Sequence, residues 1–165
     1  MAENRGRYGL GKSSRELMAS VDFKLAVTLL RLKETGGGPQ ALSGILDQGI
    51  QWVKRSGTNL LQGVQSTERY QGLGLAGTLY YRIGLSFYVS QPTADFLGEN
   101  NLGAVLTKSS ITRYLFYKND EIMASLRGFP LEAYDQIACE IAKVPAKQRD
   151  QKRLVPIMKK MGYIK

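Results

Sequence analysis

Apolar residues recur at spacings of three and four along most of this chain, a period that predicts helices. Ser13 followed by Glu16 forms a capping-box pattern, and Met18, Val21, Leu25, Leu29 and Leu32 continue on one face, predicting a helix over 14–34. Thr35, Gly36, Gly37, Gly38 and Pro39 end it, since three glycines hold a helix poorly and proline disfavours helical geometry in the residue before it. That run is expected to act as a hinge, leaving the first helix free to reach outward as a lever. Leu42, Ile45, Leu46, Ile50 and Val53 form a second stripe, with Gly49 on the same face, ending in Trp52, Lys54, Arg55, Ser56 and Gly57. A short helical piece fits 58–66, and 70–89 fits a long helix with Leu75, Leu79, Ile83 and Phe87 on one side. Gly72, Gly74, Gly77 and Gly84 interrupt it, each costing up to about 1 kcal/mol against alanine, which calls for close backbone packing to compensate. The stretch is long enough to raise a membrane span, but Arg82 and recurring polar groups favour a place in a protein core.

Beyond Gln91 and Pro92, Thr93 is suited to cap a helix through Leu97, and 98–103 is a glycine- and asparagine-rich loop. Residues 104–117 fit a helix capped by Ser109 or Ser110, with a short strand as the alternative. Asn119 and Asp120 open a turn or helix to Leu126, Gly128 and Pro130 interrupt it, and Leu131, Tyr134, Ile137, Ala138 and Ile141 make another stripe that Pro145 closes. From Lys147 onward, Leu154, Val155, Ile157, Met158 and Met161 lie among many cations, and Pro156 is expected to prevent one unbroken helix; the segment resembles a docked basic tail. No alternating strand pattern flanked by hairpin signals and no internal repeat stands out. The expected fold class is therefore all-α: a basic N-terminal arm and helix (1–38), a helical bundle (39–145) and a basic C-terminal tail (146–165).

Length and composition agree with one folded domain: 165 residues, 43% hydrophobic and 22% charged, with a mean hydropathy of −0.23. Charge adds something that periodicity does not. The net charge is +9, and it is segregated: residues 1–35 carry seven basic side chains against four acidic, 143–165 carry eight against one, and 36–142 carry eight against nine. Basic ends on a neutral body favour a polyanionic partner. The opening residues, with Glu3 and a polar glycine-rich run, lack the apolar stretch of a secretory signal. The chain contains no histidine, which removes the commonest general base and metal ligand near neutral pH. Cys139, the single cysteine, lies among Ile137, Ala138 and Ile141 and is expected to be buried and inert.

Two patterns suggest nucleotide chemistry. Gly6 to Ser13 matches the phosphate-binding sequence of G, four residues, G, K and S, but a P-loop needs a buried strand ahead of its glycines. Only the polar Met1 to Arg5 precede Gly6. Gly72, Gly74 and Gly77 spell a dinucleotide fingerprint without a preceding strand or a following acidic residue, so helix packing accounts for them better. Asp120 and Glu121 suit a helix N-terminus. No cofactor, metal, small-molecule substrate or enzymatic activity is expected.

The candidate phosphate contacts are Arg5, Arg7, Lys12 and Arg15 in the arm, Lys24, Arg31 and Lys33 along the first helix, and Lys54 and Arg55 at the end of the second. For any one of them, a solvated helix face with local ion pairs is the competing explanation. The basic glycine-bearing arm, the helix beside a glycine hinge and the cluster Arg69, Tyr70, Gln71, Gly72, Leu73, Gly74 and Leu75 resemble the major capsid proteins of filamentous and rod-shaped archaeal viruses. The resemblance implies subunits, alone or paired with a paralogue, that clamp double-stranded A-form DNA in a helical filament. Residues 1–35 would then be the clamp, Tyr80, Tyr81, Tyr88, Phe116 and Tyr117 would serve association, and the location would be the virion, or otherwise the cytoplasm. A monomeric or small-oligomer nucleic-acid-binding regulator or RNA-binding accessory protein, and a helical adaptor for an acidic protein partner, are the alternatives.

Overall fold

The computed structural model describes residues 15–35, 38–56, 82–99 and 108–164. Their order is β1 (Arg15–Asp22), α1 (Phe23–Thr35), α2 (Gly38–Ser56), β2 (Arg82–Val89), α3 (Gln91–Glu99), α4 (Lys108–Tyr117), α5 (Asp120–Gly128), α6 (Leu131–Ile141), a 3-10 turn (Ala146–Gln148) and α7 (Gln151–Lys160). Helix dominates, but the two strands form an antiparallel ribbon, which corrects the all-α expectation. The expected helical segments at 58–66 and 70–81 lie outside the described residues.

The start of the expected 14–34 helix is β1, and residues 82–89 of the expected long helix are β2. Leu17 pairs with Phe87, Ala19 with Leu85 and Val21 with Ile83, and all six are buried. Alternation decides the matter: Met18 is 49% exposed, whereas Leu17 and Ala19 on either side of it are 4% exposed. Glu16 caps no helix; its carboxylate accepts a 2.7 Å bond from Ser86 Oγ across the ribbon. A helix does not follow Ser13 as a P-loop requires, because the chain continues as strand from Arg15.

A two-stranded ribbon has little stability of its own and exposes unpaired backbone on both edges. Neighbouring elements satisfy those groups here. On the β1 edge, Ser20 N–H donates to Ser109 Oγ at 3.0 Å, and Arg113 Nη1 donates to the Ser20 carbonyl at 2.6 Å. On the β2 edge, Gly84 N–H donates to the Arg149 carbonyl and Ser86 N–H to Gln151 Oε1, both at 3.1 Å. Lys33 Nζ donates to the Ser86 carbonyl at 3.3 Å, and Ser43 Oγ donates to the Tyr88 carbonyl. The ribbon is thereby tied to α1, α2, α4 and the chain entering α7.

The expectation of α1 as a free lever is overturned. Phe23, Leu25, Ala26, Val27, Leu29 and Leu30 are all buried, so apolar groups cover more than one side of the helix, and the strands and helices share a core around it. Thr28 fits this setting by donating its hydroxyl to the Lys24 carbonyl at 2.8 Å. The glycine-proline run does end α1, and α2 begins at Gly38.

The α2 stripe behaves as its spacing predicts, with Leu42, Leu46, Ile50 and Val53 buried. Gly49 brings α2 against α4: a Cβ there would lie 3.0 Å from Leu115 Cδ2. The α4 helix, the preferred reading of its segment, buries Ile111, Leu115 and Phe116, while Tyr117 donates to Asp22 Oδ2 at 2.5 Å and Arg82 Nε lies 3.1 Å from Asp22 Oδ1. Phe116 therefore belongs to the interior rather than to an association surface, and Tyr117 is partly buried against the ribbon. Asn119 caps α5 by accepting from Ile122 N–H at 3.0 Å. In α6, Tyr134, Ile137, Ala138 and Ile141 face the core, but Leu131 and Cys139 are exposed. The buried-thiol expectation fails because residue 139 projects away from the stripe that holds residues 134, 137, 138 and 141.

The C-terminal segment docks through Leu154, Met158 and Ile164. Asp150 caps α7 by accepting from Arg153 N–H at 3.3 Å. Contrary to expectation, α7 runs unbroken through Pro156, an exposed position, so the missing backbone donor lies at the surface.

Candidate functional site

The cations of α1 lie against aromatic rings. Lys24 Nζ lies 5.1 Å from the Tyr134 ring centroid, and Arg31 Cζ lies 4.0 Å from that of Phe129. Seven residues apart on one face of α1, they meet an aromatic group in which Phe129 stands edge-on to Tyr134 at 4.9 Å and to Tyr163 at 5.3 Å. Lys33 points the other way, toward the Ser86 carbonyl and the Phe87 ring. Burial lowers the pKa of Lys24, opposed by Asp135, and that of Lys33, opposed by Glu34. The structure therefore does not bring these three side chains together as one phosphate-facing row. Arg15 is exposed at the start of β1; Lys54 and Arg55 are exposed at the end of α2, with Lys54 Nζ 5.9 Å from the Phe96 centroid. Arg5, Arg7 and Lys12 lie outside the described residues.

A second set of cations lies on the C-terminal elements. Lys152 and Lys159, and likewise Arg153 and Lys160, stand seven residues apart on the outward side of α7, and all four are exposed. Lys143 and Lys147, on the connection from α6, are exposed as well. Glu140 is held below the usual carboxylate range first by its bond to Lys143, 2.8 Å away, and further by Lys160.

Lys159 and Lys160 have a simple local explanation, because cations are favoured at the negative C-terminal end of a helix dipole. For Lys152 and Arg153 the only local compensation among the described residues is the Asp150 carboxylate that caps the helix beside them. They occupy the first turn of α7, where the dipole disfavours positive charge by about 0.3–1 kcal/mol. Asp150, 3.8 Å from Arg153, offsets part of that repulsion. The basic count of the tail was visible in the sequence, but the helix that arranges those cations on one side was not expected to be continuous.

Two hollows remain. One, of about 370 Å³, lies on the outer face of the ribbon between Glu16, Met18, Lys33, Ser86, Asp150 and Lys152, and its mixed charges suit neither a phosphate chain nor an apolar ligand. The other, also about 370 Å³, lies beside the exposed Trp52, between α2 and the end of α4. Sequence reading passed over Trp52 as a helix end. Its position just off the buried stripe of Leu46, Ile50 and Val53 was the available signal. Among the described residues, no cluster of three or more histidine, cysteine or acidic side chains could hold a metal, and no helix is long and apolar enough to cross a membrane.

No family model, curated protein or solved structure matches the chain.

Proposed function

We propose that this protein binds nucleic acid without sequence preference, using the exposed cations of α7 and its approach as a phosphate-contacting surface. The observation that carries this reading is the placement of Lys152 and Arg153. Two cations stand at the end of α7 where its dipole opposes them, in line with Lys159 and Lys160 one heptad further on. The net charge of +9 and the basic residues Arg5, Arg7, Lys12 and Arg15 near the N-terminus support the same partner.

The more particular form of the proposal is packaging: copies of this chain, alone or with a paralogue, assemble along double-stranded DNA in a virion, as the resemblance to the archaeal virus capsid proteins implies. In that form α1 is not the clamp, because its apolar faces are covered, and the grip falls to residues 5–15 and the C-terminal helices. The exposed Met18 and Leu131 are candidate subunit contacts. The burial of α1 favours the other reading, a monomeric or small-oligomer accessory protein, at the point where the capsid reading expected a projecting helix.

Titration of a labelled random-sequence duplex over a salt series, followed by sedimentation at saturation, tests both levels. Sequence-independent binding whose logarithm falls linearly with the logarithm of salt is expected. Absence of binding at low salt contradicts the proposal, while binding that saturates as a small discrete complex contradicts packaging alone.

A further inference from the structure

We propose that the hollow beside Trp52 receives an unstacked base of a single-stranded nucleic acid; the inference rests on the nucleic-acid reading above and assigns a base contact to it. Trp52 is 37% exposed, whereas most of the big apolar side chains among the described residues are buried. Ile45 and Leu115 wall the hollow, and Gly49, one turn before residue 53, contributes no side chain to fill it. An indole ring at the side of an open, mostly apolar hollow offers a base the kind of stacking partner that single-strand binders use.

The rim identifies the class of occupant. Gln48, four residues before Trp52 on the same face of α2, presents an amide that can both donate and accept. Asn119 gives its Oδ1 to the cap of α5, which leaves its NH₂ as the donor for an occupant. Lys118 lines the hollow and is exposed, with its Nζ 5.5 Å from the Tyr114 ring centroid, and Arg55, three residues beyond Trp52, is exposed one turn further along α2. Among the described residues no carboxylate lines this hollow, in contrast to the ribbon cavity with Glu16 and Asp150. An aromatic surface, amides that can read a base edge and cations for the attached phosphates match a nucleotide within a strand better than an apolar peptide, which would leave the rim groups without partners.

Trp52 is the chain's single tryptophan, so its emission reports on this position alone. The test compares three labelled probes by anisotropy while following indole emission: an oligothymidylate, the same backbone with abasic sites, and a random duplex. Oligothymidylate is expected to quench the emission, with the abasic strand binding more weakly and without quenching. Trp52→Ala is expected to weaken oligothymidylate binding roughly 5- to 150-fold, with little change for the duplex. Trp52→Phe should fall between, and far-UV circular dichroism confirms that both variants fold. Equal binding of the abasic strand, or saturation with unchanged emission, overturns the base contact while leaving phosphate binding intact. Failure of all three probes to bind overturns the phosphate reading and this inference together.

Discussion

Tyr117, Asp22 and Arg82 form the polar junction between α4 and the ribbon. The Tyr117 phenol is pushed well above its ordinary range, chiefly by burial and then by the charge of Asp22. The folded protein therefore keeps the phenolic proton at pH values where the unfolded chain, with a tyrosine pKa near about 10, releases it. This contribution to stability is complete below about pH 10 and is lost above it. Burial also raises the Tyr134 pKa, which adds to the alkaline loss. Lys24 and Lys33 act with the opposite sign: their lowered pKa values make stability rise with pH as they discharge in the folded state. Tyr117→Phe is expected to cost about 1–2 kcal/mol at neutral pH and to reduce the loss above pH 10, as measured by urea unfolding at both pH values. Cys139 supplies a second check at this scale. Its outward position predicts reaction with an aromatic disulfide reagent in the folded protein, and protection until unfolding would contradict that position.

At the scale of elements, α2, α5 and α6 were legible because their apolar residues satisfy only the helical period and their ends carry recognisable breakers or caps. The strands were not. Met18, Val21 and Leu25 satisfy the spacing of a helix, but Leu17, Ala19 and Val21 satisfy that of a strand, and the two patterns share Val21. In β2, Ile83 and Phe87 fit the helical spacing, while Leu85 and Val89 complete an alternation that was available in the sequence. The partner strand lies beyond all of α1 and α2, so local turn chemistry could not signal the pairing. Leu85→Ala is expected to cost about 2–5 kcal/mol by chemical denaturation. Met18→Ala, on the outer face, should stay within about 0.5 kcal/mol. Equal large costs would place Met18 in the core and contradict the ribbon. Truncation after residue 148 is also expected to be severely destabilising, because it removes Leu154, Met158 and Ile164 from the core together with the Arg149 and Gln151 acceptors for β2.

For the whole molecule, the sequence revealed the amount of positive charge at each end but not the direction in which it faces. Lys24, Arg31 and Lys33 look interchangeable with any solvated helix cations until the aromatic rings of Phe129, Tyr134 and Phe87 are brought beside them by distant parts of the chain. The docked tail, conversely, gained a more regular form than its proline suggested, and with it an outward row of cations. The most direct test of the central claim measures duplex binding against salt for the native protein, a variant with Lys152, Arg153, Lys159 and Lys160 changed to alanine, and Arg31→Ala as a control. The four-residue variant is expected to lose about one unit of slope for each phosphate contact removed, while Arg31→Ala loses stability by about 0.5–2 kcal/mol and keeps the native slope. An unchanged slope in the folded four-residue variant would contradict the assignment of α7 as the phosphate-contacting surface.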